Sequence, residues 1–310
     1  MSTDSATLLE ALQIWNEGLH AAFTDLLHHE GKWFCVFREG QEHASFDGQI
    51  RVLVSEEGQT WKSCAVVTMP GADLRDPKLS LTPEGRLMLV AGMRIAQHTG
   101  RTLGWFSFDG ANWGSPSVLV PDDEWLWRVT WHAGVAYGVA YNWGPPEAPH
   151  YLRMYTSRAG RSFQSLGEEL LTEDFPNETS LVFREDGLCY ALVRRETGSR
   201  SAVLGTSPMP YAIWTWQETG LSLGGPNLLV LPDGRLIAGG RIHGDSGPQT
   251  ALLWLDPDTG ESTPFLTLPS AGDTSYPGLA WYEDVLWVSY YSSHEGPTAI
   301  YLARVEVPSS

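Results

Sequence analysis

The chain has 310 residues, of which 37 are acidic and 20 are basic, so its net charge at neutral pH is −17. This excess of acidic side chains excludes a free-standing nucleic-acid-binding protein, because no basic surplus is present to neutralise phosphates. The 32 glycines, 20 prolines and 14 tryptophans favour many short strands joined by turns, and therefore an all-β fold.

The start of the chain carries acidic side chains and lacks the basic segment and long apolar run of a signal peptide, so we expect a cytoplasmic protein. A cleaved signal would leave the same sequence, so secretion stays open. No later stretch approaches the roughly 18 apolar residues of a membrane span, and we expect no membrane partner. Cys35, Cys64 and Cys189 lie far apart in apolar runs, which predicts buried thiols rather than disulfides or a metal site.

Segments of the form "apolar run, tight turn, apolar run" recur with a period near 50 residues. They begin near Asp25, Asp76, Arg128, Glu178, Asn227 and Tyr276. Their turns are residues 30–31, 84–85, 133–134, 186–187, 233–234 and 283–284, most of them acidic–glycine pairs. Such pairs between β-rich runs are typical of hairpins, so each segment predicts the first two strands of a repeat.

A second pattern, S-x-[DE]-G-x-x-W, follows the hairpins at the same period. Copies span residues 55–61 and 107–113, a weaker one spans 157–163, and the pattern decays at 207–214 and 256–265. Its polar side chains suit turn capping and its tryptophan suits a gap between sheets, which indicates a turn between a third and a fourth strand. The two patterns together predict a single domain over residues 1–310, an all-β, six-bladed β-propeller of four-stranded antiparallel blades.

The last repeat ends after its third strand, near residues 301–305. We predict that residues about 8–16, with Leu12, Ile14 and Trp15, supply its outermost strand and close the ring. A short helix over residues 7–15 is the alternative interpretation.

In such a blade, the start of the first strand and the loop after the second strand lie on one face of the propeller. Seven of the 17 arginines fall on this predicted face, with carboxylates and tyrosines beside them. Charged groups that converge on a central funnel are costly to desolvate unless they pair or bind a ligand, so we predict a polar ligand site there. Ion pairs that only join neighbouring blades are the alternative interpretation for part of this set. The predicted ligand-binding residues are Arg38, Glu39, His43, Arg75, Arg128, Asn177, Arg195, Asn227, Arg241, His294 and Glu295.

The S-x-D-G-x-x-W turns resemble the Asp boxes of sialidases, and most closely those of bacterial BNR-repeat proteins described as exo-α-sialidase-like. The resemblance extends over blocks at residues 22–26, 36–40, 74–78, 126–132, 176–179, 224–227, 273–278 and 290–296. It implies a propeller whose funnel binds a sugar, with an arginine triad for the substrate carboxylate, a tyrosine nucleophile assisted by a glutamate, and an aspartate as acid and base.

Carried onto this sequence, the resemblance implies Tyr276 or Tyr291 as the phenol, Glu178 as its base, and Asp25 or Asp76 as the acid. It also implies a clamp of three arginines drawn from Arg38, Arg128, Arg195 and Arg241. A neutral phenol suits an anionic anomeric centre, which would repel a carboxylate nucleophile. The family's F-R-I-P-like arginine motif is replaced by Phe37-Arg38-Glu39-Gly40 at the end of a second strand, so another acidic sugar, or a neutral one, stays open as the substrate.

The resulting prediction is a sialidase-like exo-glycosidase that removes a terminal, acidic sugar from a glycan. A carbohydrate-binding propeller without turnover is the alternative, and a protein-interaction platform is a third, which the charge density at the funnel disfavours. We predict no cofactor and no metal ion, because the histidines are scattered along the chain. The sequence leaves the oligomeric state open.

Overall fold

The predicted all-β architecture is confirmed by a computed structural model, which describes residues 6–18, 20–145 and 147–308. Within these ranges the chain forms 24 strands and no helix. The strands make six separate sheets of four antiparallel strands each, which is a six-bladed β-propeller. No helix in the described ranges is long and apolar enough to cross a membrane.

The first strand in the chain is β1 (Thr7–Trp15), and each of the first five blades then uses four consecutive strands. Blade 1 consists of β2 (His20–His29), β3 (Lys32–Gly40), β4 (Gln49–Ser55) and β5 (Lys62–Val67). Blade 2 consists of β6 (Asp73–Leu81), β7 (Leu87–Ala96), β8 (Thr99–Ser107) and β9 (Ser117–Val118). Blade 3 consists of β10 (Glu124–His132), β11 (Val135–Asn142), β12 (Leu152–Ser157) and β13 (Gln164–Leu171).

The last blade draws its outermost strand from the start of the chain. Blade 4 consists of β14 (Pro176–Phe183), β15 (Cys189–Arg195), β16 (Val203–Ser207) and β17 (Thr215–Glu218). Blade 5 consists of β18 (Gly224–Val230), β19 (Leu236–Gly244), β20 (Gly247–Leu255) and β21 (Ser262–Thr267). Blade 6 consists of β22 (Ser275–Tyr282), β23 (Val285–Ser292), β24 (Ala299–Glu306) and β1, which pairs antiparallel with β24. The segment with the alternative helix interpretation is therefore a strand.

The core is divided among the interfaces between neighbouring blades. One apolar cluster packs Val36 and Ile50 of blade 1 against Leu89 and Trp105 of blade 2, and comparable clusters fill the other interfaces of the described chain. Burial of both sheet faces explains why these strands read as nearly continuous apolar runs.

The turn after the third strand of blade 2 is fixed by its own side chains. The Oγ of Ser107 accepts a hydrogen bond from the Gly110 amide at 2.9 Å, and Oδ1 of Asp109 accepts from the Asn112 amide at 2.8 Å. The indole of Trp113 donates to the Gly110 carbonyl at 2.8 Å. These bonds give the repeated pattern a structural role in this turn, as local side-chain capping predicts.

Every first strand contains a bulge at the same position. Between the second and third strands of each blade the register is continuous through the centre. In the pairing with the second strand, by contrast, each first strand leaves two residues unpaired. The unpaired residues are 23–24, 76–77, 127–128, 177–178, 225–226 and 276–277. A bulge bends its strand and changes the direction of its side chains, so six bulges around one axis bring a ring of side chains to the centre of the propeller.

Candidate active site

A cavity of about 340 Å³ lies at the end of the propeller where the first strands begin. Its floor holds Asp76, Glu178 and Tyr276, all from strand bulges. A wider groove of about 1200 Å³ lies among the hairpin turns of blades 4 to 6, where its lining carboxylates are exposed and no tyrosine is present. We therefore place the candidate active site at the smaller, polar cavity.

A tyrosine and a glutamate from different blades form the centre of the cavity floor. The Oη of Tyr276 donates to Oε1 of Glu178 at 2.6 Å, and both side chains are buried. The Oε2 of Glu178 accepts from Arg194 at 2.9 Å and from the Gly225 amide at 2.8 Å. Arg194 also donates to the Tyr276 oxygen at 3.1 Å. The glutamate therefore accepts hydrogen bonds on both of its oxygens, one of them from the phenol.

The electrostatics of this pair follow from burial and charge. Burial alone would raise the pKa of Glu178, but the guanidinium of Arg194 and the hydrogen bonds from Tyr276 and Gly225 outweigh it and hold the pKa below its usual value. Burial, and then the neighbouring Glu178 carboxylate, raise the pKa of Tyr276 well above its usual value. The resting pair is a neutral phenol on an ionised carboxylate.

The bulges that carry these groups have an uncommon backbone. Tyr276 and Asp76 both have a φ of 50°, in the left-handed region that residues other than glycine seldom adopt. Gly225 has a φ of 59°, and a Cβ placed there would lie 2.5 Å from the Tyr276 ring. Such conformations cost free energy and concentrate at functional sites, where surrounding structure holds them in place.

Asp76 is a carboxyl group without full hydrogen bonding. Its side chain is 4% exposed, and its Oδ1 has no hydrogen-bond partner in the described structure. Burial raises the pKa of Asp76 to about 6, against the opposing effect of Arg75 and Lys78. A carboxyl group with this pKa can hold a proton under mildly acidic conditions and donate it to a ligand.

Guanidinium groups surround the floor, and two of them have no carboxylate partner among the described residues. Arg241 lies 5.7 Å from the Tyr276 ring centroid, and its one hydrogen bond, to the Thr274 carbonyl, is 3.5 Å long. Arg94 lies on the Phe46 ring at 4.7 Å, and its Nε is buried without a partner. These arginines are available for an anionic ligand.

Aromatic rings of blade 3 form one wall of the cavity. The ring centroids of Trp125 and Trp143 are 4.1 Å apart, and Tyr141 stacks on Trp125 at 5.9 Å. Flat apolar surfaces beside hydrogen-bonding groups suit a sugar ring, which has both C–H and O–H faces.

A buried charge network lies below the cavity floor. Asp25 is 1% exposed and accepts two hydrogen bonds from Arg128, at 2.9 and 3.0 Å. Lys78 is also buried, and its ammonium group lies 5.1 Å from the Trp127 ring and 5.9 Å from the Tyr276 ring. Burial lowers the pKa of Lys78 to about 8. Asp25 and Arg128, both predicted site residues, therefore pair with each other rather than with the cavity.

Three other predicted residues are held in contacts outside the lining of the cavity. Arg38 is fully buried, and its Nε donates to Asp73 at 2.6 Å. Arg195 pairs with Asp174 and Glu218 at the edge of blade 4. The phenol of Tyr291 donates to Oδ1 of Asp273 at 3.0 Å, and the ring packs against Phe23.

The remaining predicted residues divide between the cavity and its surroundings. His43 and Arg75 line the cavity. The others bond within or between blades: Glu39 with Trp15 and Arg51, Asn177 with Glu196, Asn227 with Ser180 and the Pro277 carbonyl, His294 with Ser292, and Glu295 with Tyr301.

Sequence reasoning missed the role of Arg194, which touches both members of the tyrosine–glutamate pair. Its neighbour Arg195 was favoured, and the two side chains leave β15 on opposite faces. Only the pairing register, which the sequence does not state, decides which of the two faces the funnel. Lys78 and Asp273 lie in the blocks of resemblance at residues 74–78 and 273–278, but the sequence assigns no role to either.

Comparisons with known proteins identify the fold. No protein-family model and no curated protein matches the chain. A protein of unknown function from Dyadobacter fermentans superposes with a TM-score of 0.84 at 17% identity, over 98% of this chain and 100% of its own. The Penicillium chrysogenum α-L-arabinanase gives 0.73 at 13% identity, over 96% and 98% of the two chains. The Trypanosoma rangeli sialidase gives 0.74 at 10% identity, over 96% of this chain and 59% of its own.

The chain therefore shares a six-bladed propeller fold with sialidases and arabinanases. It spans about three fifths of the length of that sialidase and nearly all of the arabinanase. At these identities the similarity describes the fold, and chemistry has to be argued from the cavity.

Proposed function

We propose that this protein is a retaining exo-glycosidase that removes a terminal acidic sugar, with Tyr276 as the nucleophile. The observation that carries the proposal is the buried 2.6 Å hydrogen bond from the Tyr276 phenol to Glu178, at the floor of a cavity that also holds Asp76. Fold neighbours named as a sialidase and an arabinanase support glycoside hydrolysis in general. The assignment of an acidic sugar as substrate and of Tyr276 as nucleophile rests on the residues of the cavity.

The reaction takes place in two displacements. Tyr276 Oη attacks the anomeric carbon, and its proton passes to Glu178 as the new C–O bond forms. The bond to the leaving-group oxygen breaks, and that oxygen takes the proton of Asp76. Water, deprotonated by the Asp76 carboxylate, then cleaves the glycosyl–tyrosine bond, and Glu178 returns its proton to the phenolate. Two inversions at one carbon give net retention.

The charge of the site favours an acidic sugar. A carboxylate on the substrate can pair with Arg241, which has no acidic partner in the described structure and lies over the nucleophile's ring. A neutral phenol is suited to attack beside that negative charge, as an ionised carboxylate would be repelled. The aromatic wall of Trp125 and Trp143 would contact the sugar or its leaving group.

The test is fluorophore release from aryl glycosides: a sialoside, a uronide and an α-L-arabinofuranoside. We expect release from an acidic member, with Glu178→Gln reducing kcat by about 10²–10⁴-fold, the usual contribution of a general base, and Tyr276→Phe reducing it at least as much because it removes the nucleophile. The kcat/KM of the wild type should fall above pH 6, where Asp76 loses its proton. NMR of the first product anomer should show retention.

Tyr290→Phe is the matched control. Tyr290 lies in β23 and is buried like Tyr276, but it donates to the Pro269 carbonyl, away from the cavity. The variant should leave the rate unchanged. Full activity in Tyr276→Phe would refute the assignment of the nucleophile. Release of arabinose alone would replace the acidic substrate with a neutral one. A protein that binds a glycan array but releases nothing would be a carbohydrate-binding propeller.

A further inference from the structure

Three side chains from separate segments converge at the junction of blades 1 and 6, beside the cavity. His20 begins β2, His43 lies in the loop after β3, and Asp273 lies in the connection before β22. The Nε2 of His20 and the Nδ1 of His43 each lie 2.8 Å from Oδ2 of Asp273. All three atoms lie within 4.8 Å of one another.

We propose that His20, His43 and Asp273 form a binding site for a divalent transition-metal ion, with Zn²⁺ as the best fit. Two imidazole nitrogens and one carboxylate oxygen are a common set of three protein ligands for zinc, and water completes the tetrahedron. Metal bonds of this kind separate neighbouring ligand atoms by about 3.3 Å in a tetrahedron, so the observed contacts must widen by about 0.5 Å. His43 is half exposed and lies in a loop, so it can supply this movement.

The surroundings of the carboxylate orient it for this role. The Oδ1 of Asp273 accepts the hydrogen bond of Tyr291 at 3.0 Å, and the Asp273 amide donates to Ser293 at 2.9 Å. These contacts fix the carboxylate and direct Oδ2 towards the two imidazoles. Groups in the second layer of metal sites commonly orient ligands in this way. The proposal also gives the buried Tyr291 a positioning role.

Burial of the His20 imidazole favours a bound metal ion over hydrogen bonds alone in this cluster. The His20 side chain is 9% exposed, so burying its imidazole carries a desolvation cost that the interaction at Nε2 must offset. Hydrogen bonds that share one acceptor oxygen offset this cost less than a metal–nitrogen bond would. The exposed parts of His43 and Asp273 leave a path by which an ion can enter from solvent. The three positions follow no metal-binding motif, which explains why the sequence predicts no metal.

The experiment is Zn²⁺ titration of the untagged, EDTA-treated full chain by calorimetry, with Tm measured alongside. We expect one equivalent to bind and Tm to rise by several degrees, because the ion binds only the folded chain and links two blades. Co²⁺ should give the visible absorption of a tetrahedral site. His43→Ala and Asp273→Asn should each weaken binding at least tenfold, whereas the exposed His98→Ala should match the wild type.

Because His43 lies in a half-exposed loop, His43→Ala should fold, which its Tm in EDTA will check. Equal Zn²⁺ binding by wild type and His43→Ala, or no binding by the wild type, would overturn the proposal. The proposal does not depend on glycosidase activity. A catalytically silent protein that binds Zn²⁺ through His43 would contradict only the proposed function.

Discussion

At the scale of the residue, the burial that suits Asp76 to its proposed role as an acid also lowers the stability of the folded state. Burial raises its pKa from 3.8 to about 6, so the folded state holds a proton that the unfolded state releases between these pH values. Stability is therefore unaffected below pH 4, falls as pH rises to 6, and stays reduced above it. At 1.36 kcal/mol per unit, the cost reaches about 3 kcal/mol. We predict that Asp76→Asn is more stable than the wild type at pH 8 by up to this amount and equal to it at pH 4, measured by urea unfolding.

Asparagine is the suitable replacement because it tolerates the left-handed φ of 50° at this position. The exposed Asp245→Asn is the control and should not change the pH dependence. Asp76→Asn should also lose most activity towards substrates with poor leaving groups, since it cannot donate a proton. If Asp76→Asn is no more stable than the wild type at pH 8, the ionised Asp76 side chain does not destabilise the folded state.

At the scale of the strand, the bulge of β18 supports Tyr276, the proposed nucleophile. Gly225 donates its amide to Glu178 and approaches the Tyr276 ring so closely that a Cβ would lie 2.5 Å from it. We predict that Gly225→Ala displaces the ring and lowers kcat by at least tenfold. Gly220→Ala is the matched control, because Gly220 also has a positive φ, of 80°, but has open space at its Cβ. Both variants should lose stability from backbone strain, and Gly225→Ala should lose more because its Cβ also overlaps the ring, measured by thermal unfolding. Equal kcat values would show that the ring does not depend on the bulge.

The sequence predicts where the first strands lie, but it does not predict which side chains their bulges direct towards the axis. The 50-residue period located the first strands, because hairpin turns and apolar runs are local signals, and so Asp76, Glu178 and Tyr276 were expected at one end of the propeller. Their catalytic roles stay predictions. The sequence could not choose between Asp25 and Asp76, because a bulge inserts a residue and shifts which positions face the axis. It also could not place Asp273, whose partners come from distant loops.

The whole ring depends on one non-covalent closure, in which β1 pairs with β24 and then continues into blade 1. Trp15 at the end of β1 joins the two blades: its indole donates to Glu39 at 2.7 Å, and Arg51 lies over its ring at 4.6 Å. We predict that Trp15→Ala lowers the free energy of unfolding by about 2–3 kcal/mol, somewhat less than for a fully buried tryptophan. Leu9→Ala, exposed on the same strand, should cost under about 0.5 kcal/mol.

Hydrogen exchange distinguishes a local opening of the closure from general destabilisation. Blades 2 to 5 are joined to both neighbours by the continuous chain, whereas the chain joins blade 6 to blade 1 only through the pairing of β1 with β24, beside the packing of β2 on β22. In Trp15→Ala, the amides of β24 that pair with β1 should therefore exchange faster, and those of β11 in blade 3 should change little. Equal acceleration in both strands would mean that the ring unfolds as one unit and that its closure is no weaker than its other interfaces.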